Sequence, residues 1–90
     1  MNARLEVIRS RLDGNLHPLL LELEDESHLH AGHAGARDGR GHYRVRIVSP
    51  QFQGLRLIAR HQLVYRALGD LMQTDIHALS ITALAPGEPG

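Results

Sequence analysis

Histidine is the residue type in this sequence with the clearest capacity for chemistry. Seven of the 90 residues are histidine, and four of them, His28, His30, His33 and His42, fall within fifteen positions. Imidazole is a ligand of first-row metals and titrates near neutral pH. The chain has no cysteine, which excludes disulfides, thiolate zinc sites and a catalytic thiol. The pattern points toward coordination through nitrogen, which composition alone does not establish.

Arginine is the second feature with functional potential. All ten cationic residues are arginine, and ten acidic residues balance them to a formal net charge of +0. A neutral domain lacks the bulk charge of a strong nucleic-acid binder, although a local basic stripe can still form. Arg56, Arg60 and Arg66 lie on a predicted helix and are candidates for nucleic-acid or partner contact; the alternative is an ordinary solvated face.

Length and composition indicate one soluble globular domain. Hydrophobic residues make up 42% and charged residues 22% of the chain, which is typical of a folded domain of this size. Apolar runs are too short to span a bilayer, and the first residues do not resemble a secretory signal or a transit peptide. We therefore expect a cytoplasmic protein without membrane contact. The sequence has no nucleophile–base pair with motif spacing, and it is not predicted to be an enzyme.

The first half of the chain must place the histidines between two strands. Helical spacing of Leu5, Ile8 and Leu12 predicts a helix that stops near Gly14. Alternation around Leu19–Leu23 then predicts a half-buried strand. Residues 25–41 form a long Gly- and His-rich loop, and loops of this length are usually functional or disordered. Residues 42–49 alternate again, which predicts an antiparallel partner strand.

The second half of the chain is predicted to contain a helical stretch followed by a strand. A helical stretch runs to Met72, in one or two pieces, and a break follows at residues 73–75. Its predicted apolar stripe comprises Ile58, His61, Val64, Tyr65, Leu68, Leu71 and Met72. A third strand is predicted for residues 76–84, and a flexible tail is predicted for residues 86–90. Residues 1–85 thus form a single two-layer α+β domain in the order α-β-β-α-α-β, with a three-stranded sheet and helices on one face.

Two separated motifs resemble the BolA family. The run from Phe52 to Tyr65 has an aromatic residue, a glycine two positions on, five residues, Arg-His-Gln, and a tyrosine three residues after Gln62. The family pattern has Arg-His-Arg, so Gln62 replaces one arginine. The later Ile76-His77-Ala78-Leu79 is similar to the second motif, a histidine that opens the last strand. The resemblance covers roughly residues 3–84.

The resemblance implies a fold and a partner. BolA proteins have a class II KH-like fold and bind monothiol glutaredoxins. The two proteins share a 2Fe-2S cluster, in which the glutaredoxin cysteine and glutathione supply thiolates. The BolA protein supplies the histidine of the last strand and a His or Cys from the first long loop. Replacing two thiolates on one iron by imidazoles is known coordination chemistry. No cofactor is expected for this chain alone, and the free form is expected to be a monomer or weak homodimer.

The resemblance assigns roles to individual residues. His77 is the predicted metal ligand of the last strand. His30 is the predicted loop ligand, with His33 and His28 as alternatives, since spacing within a loop does not fix geometry. Phe52, Gly54, His61 and Tyr65 form the structural signature. From the residues, we expect His61 and Tyr65 to pack in the core and Gly54 to adopt an unusual backbone angle.

A second function remains open at this stage. KH-type folds bind single strands, and the family is linked to transcriptional control of stress response and morphology. The alternative is therefore a DNA-binding transcriptional regulator that uses the arginine-bearing helix. The Gly-x-x-Gly loop of nucleic-acid-binding KH domains has no counterpart between the predicted helices, and one Phe and two Tyr offer little surface for base stacking.

Overall fold

A three-stranded sheet carries the helices of this protein on one face. The computed structural model describes residues 3–30 and 39–90, and describes positions 29 and 30 by their backbone alone. The elements are α1 (Ala3–Leu16), β1 (Leu20–Asp25), β2 (Gly41–Val48), α2 (Leu57–Leu68), α3 (Leu71–Thr74) and β3 (Ile76–Leu84). Short 3₁₀ turns span Ser27–His30 and Pro50–Phe52. The predicted α+β order, with two separate helices before the last strand, is confirmed.

The central strand of the sheet is β2. It pairs with β1 in antiparallel register, from Leu20 opposite Val48 to Asp25 opposite Tyr43, which confirms the predicted pair. It pairs with β3 in parallel register. Parallel neighbours need a crossover connection, and here α2 and α3 supply it. As a result, the start of β3 lies beside the start of β2.

The core lies between the sheet and the helices. Alternate residues of β2, Tyr43, Val45 and Ile47, are buried on the helix side. They meet apolar side chains of α1, the Pro50–Phe52 turn and α2. The same cluster contains the fully buried Phe52 together with Ile76 at the start of β3 and Ala83 near its end, so one core supports both ends of this strand.

Helix α1 is longer than predicted. The predicted stop at Gly14 is wrong, because the helix continues to Leu16, which is 3% exposed. Burial of Leu16 extends the stripe of Ile8 and Leu12 by another turn and outweighs the poor helix propensity of glycine. His17, with a φ of 46°, ends the helix in the left-handed conformation.

The buried face of α2 is rotated from the predicted stripe. Val64, Ala67 and Leu68 are buried, whereas Ile58 is 70% and Tyr65 41% exposed. The prediction of a core Tyr65 is therefore wrong. Arg60 takes the place at the helix start that an apolar residue was expected to fill, and its side chain is only 11% exposed. A long arginine stem can cover apolar surface while its head reaches polar partners.

Polar groups at the end of β3 engage this arginine. Arg60 Nη1 donates to the backbone oxygen of Ala83 at 3.1 Å, and Nη2 donates to Glu88 Oε2 at 2.9 Å. Glu88 also accepts from the backbone N–H of Ala85 at 2.9 Å. These donors lower the pKa of Glu88 to about 2. Residues 86–90, expected as a flexible tail, thus begin with a turn that brings Glu88 back to α2.

None of the described helices is both long and apolar enough to cross a bilayer.

Candidate metal-binding histidine pair

A β-bulge positions His77 at the start of β3. Gly41 lies opposite Ile76, but the next residue, His42, lies opposite Ala78. His77 is therefore the extra residue of the bulge, which turns Ile76 into the core and leaves the histidine exposed. Bulges are common beside functional sites because they redirect a side chain without ending the strand. An exposed ring is a requirement for a metal held jointly with another protein, and His77 meets it.

His42 lies beside His77 in the structure. The two ring centroids are 5.1 Å apart, and the ring planes are inclined by 50°. His42 is 8% exposed. Its backbone N–H donates to Ser27 Oγ at 3.1 Å, and its carbonyl accepts from Glu26 N at 2.8 Å. The strand and the turn after β1 therefore fix this histidine on both sides.

The separation of the two rings can be compared with that of two imidazoles on one metal ion. Two imidazoles on one metal ion, with metal–nitrogen distances of about 2 Å, place their centroids roughly 5 Å apart. The 5.1 Å between the centroids of His42 and His77 is compatible with this distance. Among residues 3–28 and 39–90, no three His, Asp or Glu side chains are grouped closely enough to hold a metal ion by themselves. The two histidines are therefore not part of a larger cluster of such side chains within the described region.

Two arginines lie near the starts of β2 and β3, and one of them contacts His77. Arg40 Nη2 lies 3.3 Å from His77 Nδ1. Arg4, on α1, binds Asp75 Oδ2 at 3.1 Å and the carbonyl of Gly39 at 2.9 Å. Arg4 therefore ties the residues before β2 to those before β3. The Thr74 hydroxyl, and after it the Arg4 guanidinium, hold the pKa of Asp75 below its ordinary value.

The predicted loop ligands have different outcomes. His28 is exposed on the 3₁₀ turn after β1. The backbone of His30 ends the same turn, which places this residue on the segment that holds His42; its side chain lies outside the described part. His33 also lies outside the described residues. The choice among these three ligands stays a prediction.

The residues of the structural signature lie on the turn before α2 and on α2 itself. Phe52 is buried, and Gly54 has a φ of 76°, which confirms the unusual backbone angle expected there. His61 is half-buried, and its Nε2 is buried with no hydrogen-bond partner in the described region. His61 is therefore partly buried as expected, but the hydrogen bond expected for its ring is not seen at Nε2 among the described residues.

The three predicted contact arginines do not form a uniform stripe. Arg56 and Arg66 are exposed, whereas the Arg60 guanidinium is bound to Glu88 and to the Ala83 carbonyl. Contact of this helix with nucleic acid or a partner stays a prediction, and Arg60 has an observed role inside the fold.

Comparison with known proteins identifies the family. The family model described as BolA-like protein matches residues 12–88. The chain belongs to the BolA family. The solved BolA domain of SufE1 from Arabidopsis thaliana superposes with a TM-score of 0.86 at 43% identity and covers 99% of both chains. BolA1 from the same plant gives 0.83 at 37% identity over the whole of both chains. The BolA-type fold is therefore shown.

Curated relatives support the same assignment. Protein BOLA1, chloroplastic, of A. thaliana is 43% identical over 88 residues, which is 94% of this chain and 55% of the relative. BolA-like protein 1 of Bos taurus is 41% identical over 81 residues, which is 90% of this chain and 58% of the relative. The chain thus spans little more than half of these BolA proteins, whose names do not describe an enzyme activity.

Sequence reasoning missed two residues of this site. The start of a strand next to Tyr43 favours a surface position for His42, near the predicted site but without a role in it, whereas the structure buries this residue. Arg40 received no role. The bulge that brings His77 beside both residues depends on the pairing of β2 with β3, two strands separated by about thirty positions in the chain. No local pattern reports that pairing, although the alternation of β2 does place His42 opposite the core side chain Tyr43.

Proposed function

We propose that this BolA-family protein is a non-enzymatic adaptor. It binds a monothiol glutaredoxin and contributes imidazole nitrogen to a shared 2Fe-2S cluster, for cluster trafficking or iron regulation. The observation that carries the proposal is the exposed ring of His77 at the bulge, 5.1 Å from a second imidazole. The family resemblance supplies the partner and the cluster type.

The donor chemistry of the chain explains why a partner is needed. Iron–sulfur clusters are held by cysteine thiolates, with two imidazoles on one iron as the known exception. This sequence has histidines and no cysteine. It fits the imidazole half of such a ligand set and cannot supply the thiolate half. The glutaredoxin cysteine and glutathione would fill that half, as the resemblance implies.

Rigid support makes His77 the principal ligand in this proposal. The residue is part of a paired strand, and the Gly41 backbone N–H binds the Asp75 carbonyl at 2.9 Å just before it. A ligand on a strand is held more exactly than one on a loop. The backbone of His77 is therefore held in place beside β2, while a second imidazole would complete the pair.

The second imidazole has two candidates with different support. The resemblance favours His30 on the loop. The structure adds His42, whose ring lies beside His77 but is buried, so that it would have to turn outward to reach a shared metal. The variants His30→Asn and His42→Asn separate them: loss of the cluster in one and its retention in the other assigns the ligand, provided that both variants have native circular dichroism.

The main experiment compares two identical substitutions. His77→Asn and His17→Asn are each mixed with a monothiol glutaredoxin, glutathione, iron and sulfide. Visible absorption and circular dichroism report the cluster. His17 is exposed and left-handed at the end of α1, and asparagine tolerates that conformation. Its chain neighbours Leu16 and Leu19 bond to Ser49 and Val48, at the other end of β2 from His42.

We expect the His17 variant to give the wild-type spectrum. The His77 variant should lose the mixed cluster or shift its bands, and should leave only the spectrum of the glutaredoxin alone. An unchanged mixed-cluster spectrum in His77→Asn contradicts the proposal. Absence of a mixed cluster with the wild-type protein contradicts it as well.

A further inference from the structure

Arg40 lies against the nitrogen that a metal would need. Its Nη2 atom is 3.3 Å from Nδ1 of His77, and its Nη1 atom is 3.5 Å from the carbonyl of Gln73. A guanidinium is always charged and only donates hydrogen bonds. Nδ1 must therefore be the acceptor in this contact, with its lone pair directed at Arg40.

This contact determines the tautomer of the neutral ring. A neutral imidazole has one N–H donor and one acceptor nitrogen. If Nδ1 accepts from Arg40, the proton is on Nε2. Both nitrogens of His77 are then engaged, because one lone pair is bound to the guanidinium and the other nitrogen carries hydrogen.

The same constraint applies whichever nitrogen binds metal. Binding through Nδ1 requires the lone pair that Arg40 occupies. Binding through Nε2 requires the proton to move to Nδ1, where it would face the N–H groups of Arg40. Arg40 must therefore leave His77 in either case. The contact is slightly longer than most N–H hydrogen bonds, so the cost of breaking it is modest.

We propose that Arg40 is a positioning residue that controls metal access to His77. In the free protein it holds the ring in one tautomer and blocks the lone pair, and it must withdraw before a metal binds. The proposal rests on the proposed function for its relevance to a cluster, but the control itself concerns any metal ion at His77.

The first test uses the free protein. Samples labelled with ¹⁵N-histidine are studied by long-range ¹H–¹⁵N NMR in mildly alkaline buffer, where the tautomers of His77 are distinguished. The wild type should show predominantly the Nε2–H form. Arg40→Ala should shift the ring toward a mixture, whereas Arg9→Ala, which removes the same charge from α1, should leave it unchanged. An unchanged tautomer in Arg40→Ala overturns the proposal.

The second test uses Zn²⁺ alone as the probe, with the His77 ring signals as the readout. Arg40→Ala should reach half-saturation at His77 at a Zn²⁺ concentration roughly threefold to tenfold lower than the wild type or Arg9→Ala. Equal or weaker binding in Arg40→Ala overturns the proposal. No glutaredoxin is present, so this result is independent of whether a shared cluster forms.

Discussion

Each end of β3 lies beside an arginine from another part of the chain, and the two arginines have different partners. At the end of the strand, Arg60 is 11% exposed and binds the Glu88 carboxylate and the Ala83 carbonyl. At the start, Arg40 donates to the imidazole of His77 and, at 3.5 Å, to the carbonyl of Gln73. A charged pair with additional hydrogen bonds is stronger than a bond to a neutral acceptor.

The comparison separates structural from exchangeable contacts. Arg60 fastens α2 to the end of the sheet, so its removal should cost stability. Arg40 contacts an exposed ring through a longer hydrogen bond, so its removal should alter the chemistry of that ring more than the stability of the fold. Strand β3 thus begins beside the exposed His77 ring and ends beside the Arg60–Glu88 ion pair, which connects it to α2.

The largest expected effect comes from the core that both ends share. Phe52→Ala removes a fully buried ring and should lower the free energy of unfolding by about 3–5 kcal/mol. Urea denaturation measures this loss. Hydrogen exchange should show both ends of β3 losing protection together; loss at one end only would contradict a single shared core.

A smaller loss is expected at the start of β2. A Cβ atom on Gly41 would lie 2.5–2.6 Å from the hydroxyl and ring atoms of Tyr43, which is buried and has little room to move. Gly41→Ala should therefore destabilise the protein by about 1–3 kcal/mol. Gly14→Ala is the matched control: nothing lies within 4 Å of its added Cβ, and it should stabilise α1 by about 0.5–1 kcal/mol. Equal effects of the two variants would contradict the close approach at Gly41.

The two arginines should differ in their effect on stability. Arg60→Gln loses the bidentate contact with Glu88 and weakens the bond to Ala83, so its urea midpoint should fall below that of the wild type. Arg40→Ala should lower the midpoint less than Arg60→Gln does, while its His77 tautomer changes. A lower urea midpoint for Arg40→Ala than for Arg60→Gln would contradict the structural role assigned to Arg60.

The smallest expected effect is a pH dependence of the stability that the Arg60–Glu88 ion pair contributes. The pKa of Glu88 is lowered from 4.5 to about 2, first by Arg60 and then by the Ala85 N–H. A lowered pKa means that the unfolded chain binds the proton more tightly, so the ion pair stabilises the fold fully above about pH 4.5 and loses that effect as the pH falls toward 2. The difference in unfolding free energy between wild type and Glu88→Gln should therefore shrink over this range. A constant difference would contradict the ion pair.

Local patterns in the sequence were sufficient for the order of the elements. Period-2 alternation identified β1 and β2, and the apolar and β-branched content of residues 76–84 predicted β3 with the bounds that the structure shows. The family motifs correctly indicated the fold. The end of α1 was predicted too early because burial of Leu16, a tertiary effect, outweighs the local signal of Gly14.

Features that depend on non-local pairing could not be predicted in this way. The buried face of α2 includes the stem of Arg60, whose partners Ala83 and Glu88 are more than twenty residues away. The histidine pair depends on the bulge between β2 and β3. His77 was found through its family motif, whereas His42 and Arg40 became functional candidates only once the parallel register was known.

The central claim is that an imidazole nitrogen of His77 binds iron in a cluster shared with another protein. Pulsed electron paramagnetic resonance of the reduced cluster tests it directly, with ¹⁵N-histidine in this protein and an unlabelled monothiol glutaredoxin. The account predicts strong ¹⁵N couplings in the wild type and in His17→Asn, and loss of one coupling, or of the mixed cluster, in His77→Asn. A wild-type cluster without ¹⁵N coupling, or couplings unchanged in His77→Asn, would contradict the account.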